Sequence, residues 1–180
     1  MPRSNNHYTT AQIALSGGCY WCMEAVCEAL IGVQAALPGF VTAPDDATPV
    51  EAVRVDFDPR RLPLEALIAA HLQTHRCTAN HARRDAYPSA IYADDTGWRQ
   101  ASQTVLERQQ AEFSAPLVTR ALPLASFRPA DTRYRHYFFA HPERPFCQRR
   151  IAPKLKHLLA GFPDWVDRER LAGAGLVDLD

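Results

Sequence analysis

The 180-residue sequence predicts an α+β fold, a two-layer sandwich with helices packed on a mixed β-sheet. Three observations predict it. Short apolar strands alternate with amphipathic helical stretches, two neighbouring segments have the pattern of a long hairpin, and no apolar run approaches the length of a transmembrane helix. Hydrophobic residues make up 47% of the chain and charged residues 22%, enough apolar material for one core. The formal net charge is zero. It leaves no footprint for nucleic acid or an anionic membrane, and neither is expected as a partner. The basic pairs Arg83-Arg84 and Arg149-Arg150 read as solvated surface balanced by acids elsewhere. Residues 1–180 form one expected domain, a monomer, with a core over about 11–159 and an unassigned tail over 160–180.

Taken in order, residues 11–16 (Ala-Gln-Ile-Ala-Leu-Ser) read as a buried strand that Gly17-Gly18 ends. Over 19–30 the apolar spacing becomes helical, with Gly32 just past the end. A second strand is expected over 33–40, then a loop rich in Pro and Asp over 42–49. Residues 51–57 alternate, placing Glu51, Val53, Val55 and Phe57 on one face and Ala52, Arg54 and Asp56 on the other. Leu64, Leu67, Ile68 and Leu72 form the stripe of a helix over 63–75. An irregular stretch over 76–88 precedes a short strand at 89–92, a long amphipathic helix from Asp94-Asp95 to about Phe113, and a strand over 117–126. Pro142, Pro145, Pro153 and Pro163 predict a loop-rich tail that wraps the domain, with one helix over 153–159. The core so described is a ferredoxin-like plait.

Five cysteines, an odd number, follow a polar N-terminus with no apolar signal region. A disulfide framework is disfavoured, thiol chemistry or metal binding is favoured, and a reducing cytoplasm is the expected compartment. The segment Gly17-Gly18-Cys19-Tyr20-Trp21-Cys22 lies between a strand and the first turn of a helix. Free backbone N–H groups and the helix dipole there favour a thiolate, so Cys19 is the candidate nucleophile. Three other readings stay open. Cys19 can be an inert packing thiol. Cys19-x-x-Cys22 can be a thioredoxin-like pair, although Tyr20-Trp21 is bulky for one. It can also be half of a zinc site completed from His75, Cys77, His81 or Cys147, although no second Cys-x-x-Cys exists.

Gly18-Cys19-Tyr20-Trp21-Cys22-Met23-Glu24-Ala25 resembles the Gly-Cys-Phe-Trp-(Cys or Gly)-x-Glu-Ala signature of the peptide methionine sulfoxide reductase A family. Further matches follow in order. They are Gly32-Val33 with Pro38-Gly39-Phe40, Val50-Glu51-Ala52-Val53 with Phe57-Asp58-Pro59, and Ala86-Tyr87-Pro88-Ser89-Ala90-Ile91-Tyr92. Phe127, Ala130, Asp131 and Tyr137 keep the spacing of another family motif. Phe146-Cys147-Gln148 and Ile151-Ala152-Pro153-Lys154 resemble its C-terminal one.

The resemblance implies reduction of methionine sulfoxide, of the S epimer, peptide-bound or free, with antioxidant and protein-repair roles. It implies Cys19 as nucleophile, Glu51 as acid, Tyr87 on the sulfoxide oxygen, and Tyr20 and Trp21 as the wall that holds the substrate methyl. Phe40 occupies a position where the family carries a tyrosine. A Cys19 sulfenic acid would then condense with Cys147, on a tail able to swing, or with Cys22, and a thioredoxin-like dithiol would reduce the product. No metal or other cofactor is expected. Cys27 and Cys77 read as packing thiols. The sequence departs from the family at Phe40, Ala82, Ala86, Pro88, Asp131, Tyr134 and Arg135. Two further readings stand beside the first: a weak or inactive homologue that binds methionine-like ligands, and a redox sensor using Cys19, Cys22 and Cys147.

Overall fold

The computed structural model describes residues 10–79 and 87–178. Its elements run β1 (Ala11–Ser16), α1 (Tyr20–Glu28), β2 (Val33–Ala43), β3 (Asp46–Phe57), α2 (Leu64–Gln73), β4 (Ala90–Ala93) and α3 (Thr96–Gln109). Then come β5 (Arg120–Pro123), β6 (Ser126–Pro129), α4 (Tyr137–Ala140), α5 (Ala152–Gly161) and α6 (Arg168–Gly173). One six-stranded sheet has the order β5-β4-β1-β3-β2-β6. Its inner four strands pair antiparallel throughout, as the plait predicts for the order β1-α1-β2-β3-α2-β4. At the edges β5 adds parallel to β4 and β6 antiparallel to β2, which makes the sheet mixed.

The alternation in β3 sorts its side chains between two layers. Val53, Val55 and Phe57 join Ile13 and Leu15 under the helices, packed with Val26, Leu67, Ile68, Leu72 and Leu155. The opposite face holds a smaller cluster of Ala14, Val41, Val50, Ala52, Ala90 and Tyr92. Cys27 and Cys77, 1% and 3% exposed, are packing thiols of the main core.

Three expectations are corrected. The loop over 42–49 is mostly strand: β2 runs to Ala43 and β3 begins at Asp46, because the hairpin continues pairing until Val41↔Val50 and Ala43↔Asp46. The strand over 117–126 is two strands on opposite edges of the sheet. The tail is chiefly helical rather than loop. Its prolines sit where helices tolerate them, Pro153 in the first turn of α5 and Pro163 at the start of a 3₁₀ turn. Phe138, Ile151, Leu155, Leu158 and Leu171 are buried almost completely, and that burial holds the tail to the core. Residues beyond 160 dock on the end of α1 through Ile31 N–H to Trp165 and Asp167 N–H to Ala29 (2.9 and 2.8 Å).

Candidate active site

Antiparallel pairing brings the site together. The end of β1, the start of β4 and the first half of β3 meet at one end of the sheet, since Ser16 pairs with Ala90 and Leu15 with Val53. Cys19 follows β1, Tyr87 precedes β4, and Glu51 lies two residues before Val53. Phe40 is directly opposite Glu51 on β2. Residues remote in sequence therefore share one corner.

The turn into the corner is tightly backed. Gly17 has φ 152°, and a Cβ there would lie 2.7 Å from Cδ2 of His75. The His75 ring is held between the His71 carbonyl (2.5 Å) and Ser89 Oγ (2.7 Å), and Ser89 in turn meets Thr119 Oγ1 (2.7 Å). Ser16 Oγ donates to the Pro88 carbonyl (2.6 Å), which ties β1 to the segment carrying Tyr87. Gly18 faces open space. Gly17→Ala is therefore expected to destabilise the fold by about 1–3 kcal/mol, and Gly18→Ala by less than about 1 kcal/mol. Urea unfolding midpoints check this, and equal midpoints would count against the packing.

Cys19 occupies the N-cap of α1 with extended backbone (φ −62°, ψ 125°), half-buried. Its sulfur lies against the Cys22 thiol and the backbone N–H groups of Cys22 and Trp21. These sulfur contacts fall short of the tight side-chain cap that a serine makes. The Cys22 contact first, then the two N–H groups, bring the Cys19 thiol down from 9.0 to about 7, against the opposing effects of burial and of the Glu51 charge. At pH 7 the thiolate fraction rises from roughly 1% to about half. Cys22 moves the other way, raised because its proton is engaged by the Cys19 sulfur and because it is buried.

Glu51 is half-buried beside this thiolate. Burial raises its carboxyl pKa, while a hydrogen bond from Tyr87 works in the opposite sense. The predicted thiol, acid and phenol thus meet in one place.

The aromatic wall is larger than expected. Tyr20 packs edge-on against Phe40, ring centroids 5.9 Å apart, and tilted against Trp21 at 6.1 Å. Tyr137 stacks on Trp21 at 4.2 Å and 5°, while Tyr134 and Phe146 approach it at 5.7 and 5.8 Å. Tyr134, Tyr137 and Phe146 come from the tail. In the sequence they fall in or beside the resembling motifs, with no role assigned to them.

Glu24 lies in the signature around Cys19, but the sequence alone assigned it no role. It is fully buried on α1 and accepts the N–H groups of His136 and Tyr137 (2.9 and 3.0 Å), which fixes the start of α4 and so the Tyr137–Trp21 stack. Burial pushes its carboxyl up to about 7, partly offset by the His136 N–H. Glu28 accepts from His136 Nδ1 (2.5 Å), and His136 adopts a left-handed backbone at φ 54°. Glu24, Glu28 and His136 form the one group among the described residues that brings three ligand-type side chains together; Cys19 and Cys22 are not in it. His81, Ala82 and Ala86 lie outside the described residues.

Cys147 is not on a swinging loop. It starts a π-helical turn (Cys147–Ile151) that leads into α5, and it is 0% exposed. Burial raises its thiol pKa. Its turn packs on α1, the helix that carries Cys22. All five cysteines are free thiols. Among the described residues no helix is long and apolar enough to cross a membrane.

A family model described as peptide methionine sulfoxide reductase matches residues 11–163. The peptide methionine sulfoxide reductase MsrA of a Thermus thermophilus strain is 32% identical over 163 residues, covering 82% of this chain and 93% of that protein. The protein of the same name from Granulibacter bethesdensis is 36% identical over 160 residues, covering 79% and 86%. Among solved structures, reduced Mxr1 from Saccharomyces cerevisiae superposes with a TM-score of 0.66 at 17% identity, covering 77% of this chain and 89% of that one. Methionine sulfoxide reductase A of Corynebacterium diphtheriae gives 0.64 at 21% identity, covering 76% and 77%. These two likenesses are of fold.

Proposed function

From the premise that the chain belongs to the peptide methionine sulfoxide reductase family, we propose that its Cys19 corner reduces methionine sulfoxide at the expense of thiols. The observation that carries this reading is the meeting of a thiol ionised near pH 7, a carboxyl with a raised pKa and a phenol, beside an aromatic wall.

The Cys19 thiolate attacks the sulfoxide sulfur. Glu51 gives its proton to the oxygen, and Tyr87 steadies that oxygen by hydrogen bonding. The hydroxyl so formed passes to the Cys19 sulfur as the sulfur–oxygen bond and the new sulfur–sulfur bond break, the sulfide leaves, and Cys19 is left as a sulfenic acid. A second thiol condenses with it, forming a disulfide and releasing water. An external dithiol of the thioredoxin kind then reduces the disulfide, as the solved complex of Mxr1 with Trx2 suggests by analogy. Tyr20, Trp21 and Phe40 hold the substrate methyl.

Cys22 is the resolving thiol closest to hand: it touches the Cys19 sulfur from the same helical turn. Cys147 takes the disulfide on from Cys22 once the π-helical turn opens. The protein acts as a monomer in a reducing, cytoplasmic setting, repairing oxidised methionine as an antioxidant enzyme. It works on the S epimer, peptide-bound or free.

Reduction of separated S and R sulfoxide peptides, with dithiothreitol as reductant, tests the reading. Turnover confined to the S epimer supports it, and no turnover of either epimer sinks it. With a thioredoxin system instead, Cys22→Ser is expected to complete one turnover and stall with oxidised Cys19. Full steady-state activity in Cys22→Ser, and none in Cys147→Ser, would make Cys147 the direct resolver.

A further inference from the structure

The chain as a whole is uncharged, yet residues 127–150 hold six arginines against two acids, Asp131 and Glu143. The structure places five of these arginines around the aromatic wall. Arg128 lies over the ring of Phe40 at 5.1 Å, Arg133 over Tyr134 at 5.6 Å and Arg144 over Tyr137 at 4.9 Å. Arg149 and Arg150, with Phe146, line an open cavity of about 570 Å³. Phe146 meets Trp21 and Tyr137 edge-on, so the cavity borders the wall directly.

All five guanidinium groups belong to exposed residues. Stacking on a ring restrains a guanidinium without neutralising it and leaves its N–H fork free for carboxylates. Asp131 pairs with Arg133 at 3.1 Å, and Glu143 sits between His141 and Arg144. The sixth arginine, Arg135, acts on Glu28. Counting the five arginines against Asp131 and Glu143 leaves a rim of about three unbalanced positive charges around the aromatic wall.

We propose that this rim selects methionine sulfoxides in acidic stretches of polypeptide, with Asp or Glu side chains flanking the oxidised residue. The inference rests on the reading of the Cys19 corner given above and adds the substrate class. Exposed charges several ångströms apart are screened within about 8–10 Å at ordinary salt. The selection is therefore carried by residues immediately beside the sulfoxide, and it acts on capture more than on chemistry.

Three peptides identical except for Asp, Asn or Lys on both sides of one methionine sulfoxide test this, with dithiothreitol as reductant so that protein recycling plays no part. At low salt kcat/KM is expected to fall in the order Asp, Asn, Lys. The span is about tenfold or more, carried by KM, and shrinks toward unity near 1 M salt. Arg128→Glu and the double variant Arg149→Glu/Arg150→Glu are expected to compress or invert the Asp-to-Lys ratio, with the Asn peptide as internal reference. A span within twofold, or one that the charge reversals leave unchanged, overturns the proposal.

Dissociation constants of the same peptides, labelled and bound to Cys19→Ser, give a readout independent of turnover. Equal affinities with normal reduction remove the rim's role and keep the reductase. A preserved affinity order with no reduction of any peptide removes the reductase and keeps the rim.

Discussion

Cys19→Ser is expected to lose sulfoxide reduction by about 10⁴-fold or more, to the level of the buffer control. A serine hydroxyl at this N-cap stays protonated at neutral pH. It is also a hard nucleophile facing a soft sulfur centre. What the helix end does for the thiol cannot rescue it: the Cys22 contact and the N–H groups of Cys22 and Trp21 bring the cysteine pKa to about 7, and a hydroxyl starts far above that. The pH dependence follows. The reactive form needs Cys19 deprotonated, so reduction by the native chain falls about tenfold per unit as pH drops below about 7. It also needs Glu51 protonated, so a second limb falls on the alkaline side of the raised Glu51 value. The two groups interact, and the limbs belong to the pair. Steady-state reduction of a sulfoxide peptide by dithiothreitol measures both; residual turnover in Cys19→Ser above the control would remove Cys19 from the chemistry.

Glu51→Gln is expected to lower kcat by about 10² to 10³-fold while making Cys19 more reactive toward an alkylating agent. The opposed responses separate an acid from a structural residue. An amide has no proton to give to the leaving oxygen, so reduction collapses. The same change removes a negative charge that holds the Cys19 pKa up. The thiolate therefore forms at lower pH, and the midpoint of iodoacetamide labelling moves below about 7. A variant that lost both reduction and labelling would have lost the fold of the corner. One that kept reduction would leave the sulfoxide oxygen to Tyr87 alone. Amide for carboxyl preserves shape and one acceptor for the Tyr87 hydroxyl, so the corner is expected to stay closed.

Several departures from the family pattern gain a setting in the structure. Phe40, where the resemblance has a tyrosine, packs its ring against Tyr20 under the guanidinium of Arg128. Tyr134, where it has a histidine, brings a phenol to within 5.7 Å of the Trp21 ring centre. Asp131 caps a 3₁₀ turn by accepting from Arg133 N–H and pairs with the same arginine. At Phe40 and Tyr134 the wall therefore carries this chain's own rings, beside Trp21, Tyr137 and Phe146 of the shared motifs.

What was legible in the sequence was local. Strand β1 matches residue for residue because its apolar run and the Gly17-Gly18 stop lie within eight positions of one another. The candidate nucleophile, Cys19, was legible for the same reason: a cysteine at a strand-to-helix turn meets free N–H groups wherever the rest of the chain goes. The alternation of β3 put Glu51 on the helix-covered face, as found. Only the tertiary structure decided which residues face that thiol. Antiparallel register aligned Glu51 and Tyr87 with Cys19. Glu24, buried more than a hundred residues before its partners, set the stack of Tyr137 on Trp21. Burial in a π-helical turn decided the accessibility of Cys147, where proline content alone had suggested a loop. Backbone preference is written in adjacent residues, but docking of the tail depends on shape and apolar burial summed over distant surfaces, which no short window of sequence contains.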